Sequence, residues 1–168
     1  MLAEISSGLP GAAWVPPEQL HLTLKFIGEV DNGFLPEIRR ALDTVHTRSF
    51  YLSLKGLGHF PLRGNPEVLW AGVRPNDELL RLRKKIETTL TGRGLPPDTR
   101  KFHPHVTLAR IRSADSEYVG QYLAGNSLFS MPEIPVQGFS LYASTLTPDG
   151  AVHHLEGSYP LEGLLEAE

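Results

Sequence analysis

Two short segments constrain this chain more than any other feature: His21-Leu22-Thr23-Leu24 and His105-Val106-Thr107-Leu108. Each alternates polar and apolar residues, and an extended strand sends successive side chains to opposite faces. Histidine and threonine therefore share one face while the two apolar residues anchor the other. The first copy lies in a longer alternating run, Gln19 to Gly28. There Leu20, Leu22, Leu24 and Phe26 point one way and His21, Thr23 and Lys25 the other. The second copy lies in the run Phe102 to Arg110. The copies stand 84 residues apart in a chain of 168, half its length.

The rest of the chain supplies both strands and helices. Leu35, Ile38, Leu42 and Val45 recur at intervals of three and four, and Pro36 suits a helix start. Phe50 to Lys55 alternates as a strand, and Val68 to Val73 reads as a more fully buried one. Gly58 to Pro66 between them reads as a loop. A second helix begins at Asn76, with Leu79, Leu82, Ile86 and Leu90 as its apolar stripe and Gly92 and Gly94 at its end. Its Arg81, Arg83, Lys84 and Lys85 lie off that stripe and read as a solvated face rather than a nucleic-acid patch. A short helix is expected over Asp115 to Leu123. Val136 to Ala143 and Val152 to Leu161 read as strands joined at Pro148-Asp149-Gly150. This order predicts an α+β domain with largely antiparallel sheet.

Composition narrows the function classes. An apolar fraction of 40% with 21% charged residues belongs to a globular chain, not a disordered one. The net charge of −3, from 16 basic and 19 acidic residues, argues against tight binding along many phosphates. A local site for one terminal phosphate is compatible with it. Cysteine is absent, which removes disulfides, thiolate nucleophiles and Cys-based zinc sites. No run reaches the roughly 20 apolar residues of a membrane span, and no signal peptide is legible. A cytoplasmic protein is the default expectation.

Imidazoles titrate near neutrality, so two of them suit general acid and general base roles across one reacting atom. Two threonine hydroxyls beside them can donate to the non-bridging oxygens of a phosphate. Lys25, on the same predicted face, would add positive charge. This set suits in-line displacement at a phosphodiester without a metal. Strand alternation puts Arg110 on the side of Val106 and Leu108, which gives it no catalytic role. A merely polar, solvent-facing strand face would carry the same residues; the half-length repeat and the strand setting of both copies weigh against that. His103-Pro104-His105 and His153-His154 invite a metal reading, but no carboxylate follows at ligand spacing. His46 and His59 read as surface or loop residues, and Trp70 and Phe102 as core, with an aromatic lining the cleft and stacking on a terminal base as the alternative.

HLTLKFIG at 21–28 and PHVTLAR at 104–110 resemble the paired HxTx motifs of the two-histidine (2H) phosphoesterases. The similarity is greatest to the RNA 2′,3′-cyclic phosphodiesterases, formerly called 2′-5′ RNA ligases (LigT-like). WVPPEQLHLTLKFIGEV at 14–30, LWAGV at 69–73 and LYASTLTPDGAVHHL at 141–155 extend the resemblance over nearly the whole chain. It implies a single domain over 1–168 with a bilobal fold. Two pseudo-symmetric lobes would line a central cleft with mainly antiparallel sheets, helices outside. One lobe would carry His21 and Thr23, the other His105 and Thr107. It implies further that His21 is the proton donor and His105 the proton acceptor, with Thr23 and Thr107 holding phosphoryl oxygens. Apart from the resemblance, Lys25 shares the predicted face of His21 and Thr23, and Tyr142 and Ser144 share a face of their strand, so these three are candidate substrate contacts; neither metal nor cofactor is expected. The implied partners are RNA ends or oligonucleotides bearing a 2′,3′-cyclic phosphate, tRNA halves among the candidates, acted on by a monomer. Run in reverse, such a site would join RNA ends through a 2′-5′ linkage.

The chain departs from the family pattern at both ends. Members usually place a strand and most of a helix before the WVPP segment, and Met1 to Gly11 resembles only the end of that helix. The last strand carries His153-His154 where an aromatic commonly precedes a polar residue. Two alternatives stay open: a related 2H esterase acting on small cyclic nucleotides, and a non-catalytic nucleotide-binding module.

Overall fold

The computed structural model describes residues 5–61, 63–112, 116–147 and 150–163. In chain order its strands and α-helices are β1 (Ala12–Trp14), α1 (Leu35–Leu42), β2 (Phe50–Phe60), β3 (Val68–Val73), α2 (Asp77–Thr91), β4 (His105–Ile111), α3 (Ser116–Gly125), β5 (Ser130–Val136), β6 (Gly138–Thr147) and β7 (Gly150–Pro160). Single 3₁₀ turns occur at Pro17–Gln19 and Asn32–Phe34. The fold is α+β. One sheet runs β1-β4-β3-β2-β5 and a second pairs β6 with β7. The pairings β1 with β4, β4 with β3, β3 with β2, and β6 with β7 are all antiparallel. No helix among the described residues is long and apolar enough to cross a membrane.

The chain divides into two compact units, each assembled from three segments. The first comprises Met1–Leu24, Leu52–Pro75 and Lys101–Ile134. Its core gathers Leu54, Leu69, Ala71, Leu108, Ala109 and Ile111 from the sheet with Val119 and Tyr122 from α3. The Tyr122 hydroxyl donates to the carbonyl of Ile5, so the buried phenol keeps a partner. Both His-x-Thr segments fall in this unit rather than one in each, because the units interleave along the chain instead of splitting it at its midpoint.

The second unit comprises Lys25–Tyr51, Asn76–Arg100 and Pro135–Glu168. Here α1 packs on α2 and β7. Asn76 caps α2 by accepting from the Leu79 amide at 2.9 Å, and Leu79, Leu82, Ile86 and Leu90 are buried as their spacing predicts. On the hairpin, Phe139 stacks on Tyr159 with centroids 4.9 Å apart.

Several sequence expectations are corrected. Gln19 to Gly28 is not a strand: its ladder contact is an isolated bridge from Leu22 to Val106. Its alternation also breaks, since Phe26 is 68% exposed while the Lys25 side chain is 4% exposed. The reason is tertiary, for α2 supplies Glu87 as a half-buried counter-charge to Lys25. Gly58 to Phe60 belongs to β2, not to a loop, and His59 with it. The Trp70 ring fills the space a side chain at Gly58 would need, so a glycine is the strand residue that fits. β1 was too short for its period to show. β5, at the sheet edge, tolerates Pro132 and Pro135 because an edge strand need not donate from every amide. Pro148 and Asp149 of the expected turn, and Met1 to Glu4, lie outside the described residues.

Candidate active site

The bridge between Leu22 and Val106 is antiparallel. It therefore sets His21 beside Thr107 and Thr23 beside His105. Val106 packs against the core of the first unit, which directs the residues on either side of it, and of its partner Leu22, to the opposite face. Four chemically able side chains thus share one face, with each imidazole across from a hydroxyl. The two histidines are diagonal neighbours, a relation that spans about 7–8 Å in antiparallel sheet. That span leaves room for one phosphoryl group with an imidazole on either side.

Both rings are anchored alike. His21 Nδ1 lies 2.7 Å from the carbonyl oxygen of Gln19, and His105 Nδ1 lies 2.7 Å from that of His103. A carbonyl only accepts, so Nδ1 must carry the hydrogen in each ring. Nε2 is then the nitrogen that gives or takes the exchangeable proton. Long-range ¹⁵N–¹H correlation spectra of labelled protein above pH 8 should show the Nδ1–H tautomer for both residues. The Nε2–H tautomer, preferred by histidine in water, would contradict the anchoring.

The register of β4 changes the standing of Arg110. Gly72 pairs with His105, Ala71 with Val106 and Trp70 with Thr107, but Leu69 then pairs with Ala109 and Val68 with Arg110. Leu108 is the extra residue of a β-bulge, which resets the alternation. Val68, Trp70 and Gly72 share a face of β3, so Arg110 lies on the His105–Thr107 face and is exposed. Simple alternation had put it on the core side. The clue legible in the sequence is the adjacent apolar pair Leu108-Ala109, both buried, where strict alternation would allow one.

The other expected contacts are placed differently. The Lys25 ammonium lies 2.8 Å from a Glu87 carboxylate oxygen and donates to the Pro96 carbonyl at 3.2 Å, all within the second unit. Burial raises the Glu87 pKa, but hydrogen bonds from Lys25 and from the Asp98 amide outweigh it and hold the carboxyl below its ordinary 4.5. A carboxyl depressed by folding stabilises the fold at pH values above its unfolded pKa, and the gain is lost as pH falls through the folded value. Lys25→Met should therefore cost about 2 kcal/mol at pH 7 by urea unfolding, below the roughly 3–5 of a fully buried pair because Glu87 keeps some water. The deficit should shrink by pH 3. An equal deficit at both pH values would show that the ion pair is not its source.

Tyr142 and Ser144 share a face of β6 with His153 and Leu155 of β7, and the first two are exposed. Ser144 Oγ is 2.8 Å from His153 Nδ1. Trp70 and Phe102 are half-buried rather than core. Trp70 stands on the His105 face of its sheet, since it pairs with Thr107. Among the described residues no cluster of three or more His, Cys, Asp or Glu side chains is placed to hold a metal ion.

Comparison with known proteins identifies the family. The sequence profile of the 2′-5′ RNA ligase superfamily matches residues 4–144. An RNA 2′,3′-cyclic phosphodiesterase of Thermotoga maritima is 34% identical over 155 residues, covering 91% of this chain and 81% of the relative. That of Archaeoglobus fulgidus is 37% identical over 147 residues, covering 88% and 82%. The crystal structure of a Thermus thermophilus protein superposes with a TM-score of 0.76 at 30% identity, covering 96% of this chain and 90% of that one. Escherichia coli LigT complexed with 3′-AMP gives 0.70 at 23% identity, covering 91% and 83%, a likeness of fold. With the superfamily profile matching most of the chain and relatives aligned over most of their length, this chain belongs to the 2′-5′ RNA ligase superfamily.

Proposed function

We propose that this protein hydrolyses the 2′,3′-cyclic phosphate at an RNA end to a 2′-phosphate by proton exchange between His21 and His105. The observation that carries this is the Leu22–Val106 bridge, which brings both His-x-Thr pairs onto one face. The names of the aligned relatives support the substrate class. His105 Nε2 takes a proton from water as its oxygen attacks phosphorus. The bond from phosphorus to the 3′ oxygen breaks, and His21 Nε2–H protonates that oxygen. A 2′-phosphate and a 3′-hydroxyl result. Thr23 and Thr107 donate to the non-bridging oxygens, and Arg110 adds a cation on the same face. Lys25, engaged with Glu87, is assigned no substrate contact.

The test is a product assay on an oligonucleotide ending in a 2′,3′-cyclic phosphate, with excess EDTA present. A 2′-phosphate at an undiminished rate is expected. A 3′-phosphate product would sink the proposal, as would rapid hydrolysis of mononucleoside cyclic phosphates with none of the oligonucleotide.

A further inference from the structure

We propose that Trp70 is a positioning residue for His105, acting through an aromatic collar that Phe60 completes. The proposal rests on the reading of His105 as proton acceptor. The His105 ring stands edge-on to Phe60, with centroids 5.2 Å apart and planes at 79°. It lies 6.3 Å from Trp70 at 55°, and Phe60 and Trp70 are themselves 5.3 Å apart. His103 closes the group, 5.0 Å from Trp70 and 5.4 Å from Phe60. Its carbonyl is the acceptor for His105 Nδ1.

The backbone is shaped to this indole. A Cβ at Gly58, the cross-strand partner of Trp70, would sit 2.3 Å from the ring, nearer than real atoms approach. Gly72, the cross-strand partner of His105, has no side chain to crowd the imidazole from β3. A Cβ there would meet the Lys55 carbonyl oxygen at 2.9 Å and the indole at 3.4 Å. One hydrogen bond at Nδ1 tethers an imidazole, but a ring free to swing about its side-chain bonds breaks that bond and admits the Nε2–H tautomer. Rings packed beside it remove the swing. A displacement of about 1 Å at a reacting group can cost on the order of 10²-fold in rate, so the collar bears on kcat rather than on substrate affinity.

Trp70→Leu should lower kcat by about tenfold or more with KM within roughly twofold of wild type. Its labelled spectrum should show His105 as a mixture of tautomers while His21 keeps Nδ1–H. Trp70→Phe, which retains a ring, should recover most of kcat. Gly58→Ala keeps the tryptophan but displaces the indole, and should shift kcat and the His105 tautomer in the same direction as Trp70→Leu. A tautomer unchanged in both Trp70→Leu and Gly58→Ala would overturn the proposal, as would a loss confined to KM. If the wild-type protein cleaves no cyclic phosphate, the catalytic reading fails by itself, and the tautomer measurement still decides whether the collar holds His105.

Discussion

Replacing either His21 or His105 with alanine is expected to lower kcat for cyclic-phosphate hydrolysis by about 10²–10⁴-fold, the usual worth of a positioned acid or base. Because the two rings act on one displacement, the double variant should lose far less than the product of the single losses. The roles can be separated by the leaving group. With sulfur in place of the 3′ bridging oxygen, the departing thiolate needs no proton. That substrate should restore His21→Ala substantially and leave His105→Ala impaired. Restoration of both, or of His105→Ala instead, would reverse or dissolve the assignment. The wild-type rate should peak between an acid and an alkaline limb, since one imidazole must be neutral while the other is charged.

The second large effect concerns Arg110. Arg110→Ala is expected to lower kcat/KM by about 10²-fold, the loss seen when one donor to a developing phosphoryl charge is removed. Arg110→Lys should recover only part of it, because an ammonium keeps the charge but not the planar fork that meets two oxygens at once. Fluorescence-monitored unfolding should change little, as Arg110 is exposed and its cross-strand neighbours are Ala13 and Val68. An Arg110→Ala enzyme within threefold of wild type would remove the residue from the site.

The proposed chemistry starts from residue order. His21, Thr23, His105 and Thr107 could be named because a strand period is local: residues two apart share a face wherever backbone is extended. α2 and β3 could be read for the same reason, from the Leu79-Leu82-Ile86-Leu90 stripe and from Val68–Val73 as a buried strand. Arg110 could not. A bulge is decided by how two strands register against each other, and one extra residue at Leu108 inverts every facing beyond it. Lys25 misled for a parallel reason: its neighbours alternate, yet its side chain follows the charge of Glu87, 62 residues away.

The sequence by itself determined that one His-x-Thr pattern occurs twice, with residue types able to exchange protons and to hold phosphoryl oxygens. Only the tertiary structure decided that both copies lie in one unit, joined where Leu22 meets Val106, with His21 beside Thr107 and Thr23 beside His105. The physical reason is range. Alternation is imposed by steric rules acting between adjacent residues, whereas register, bulges and counter-charges are settled by contacts between segments that the chain brings together only on folding.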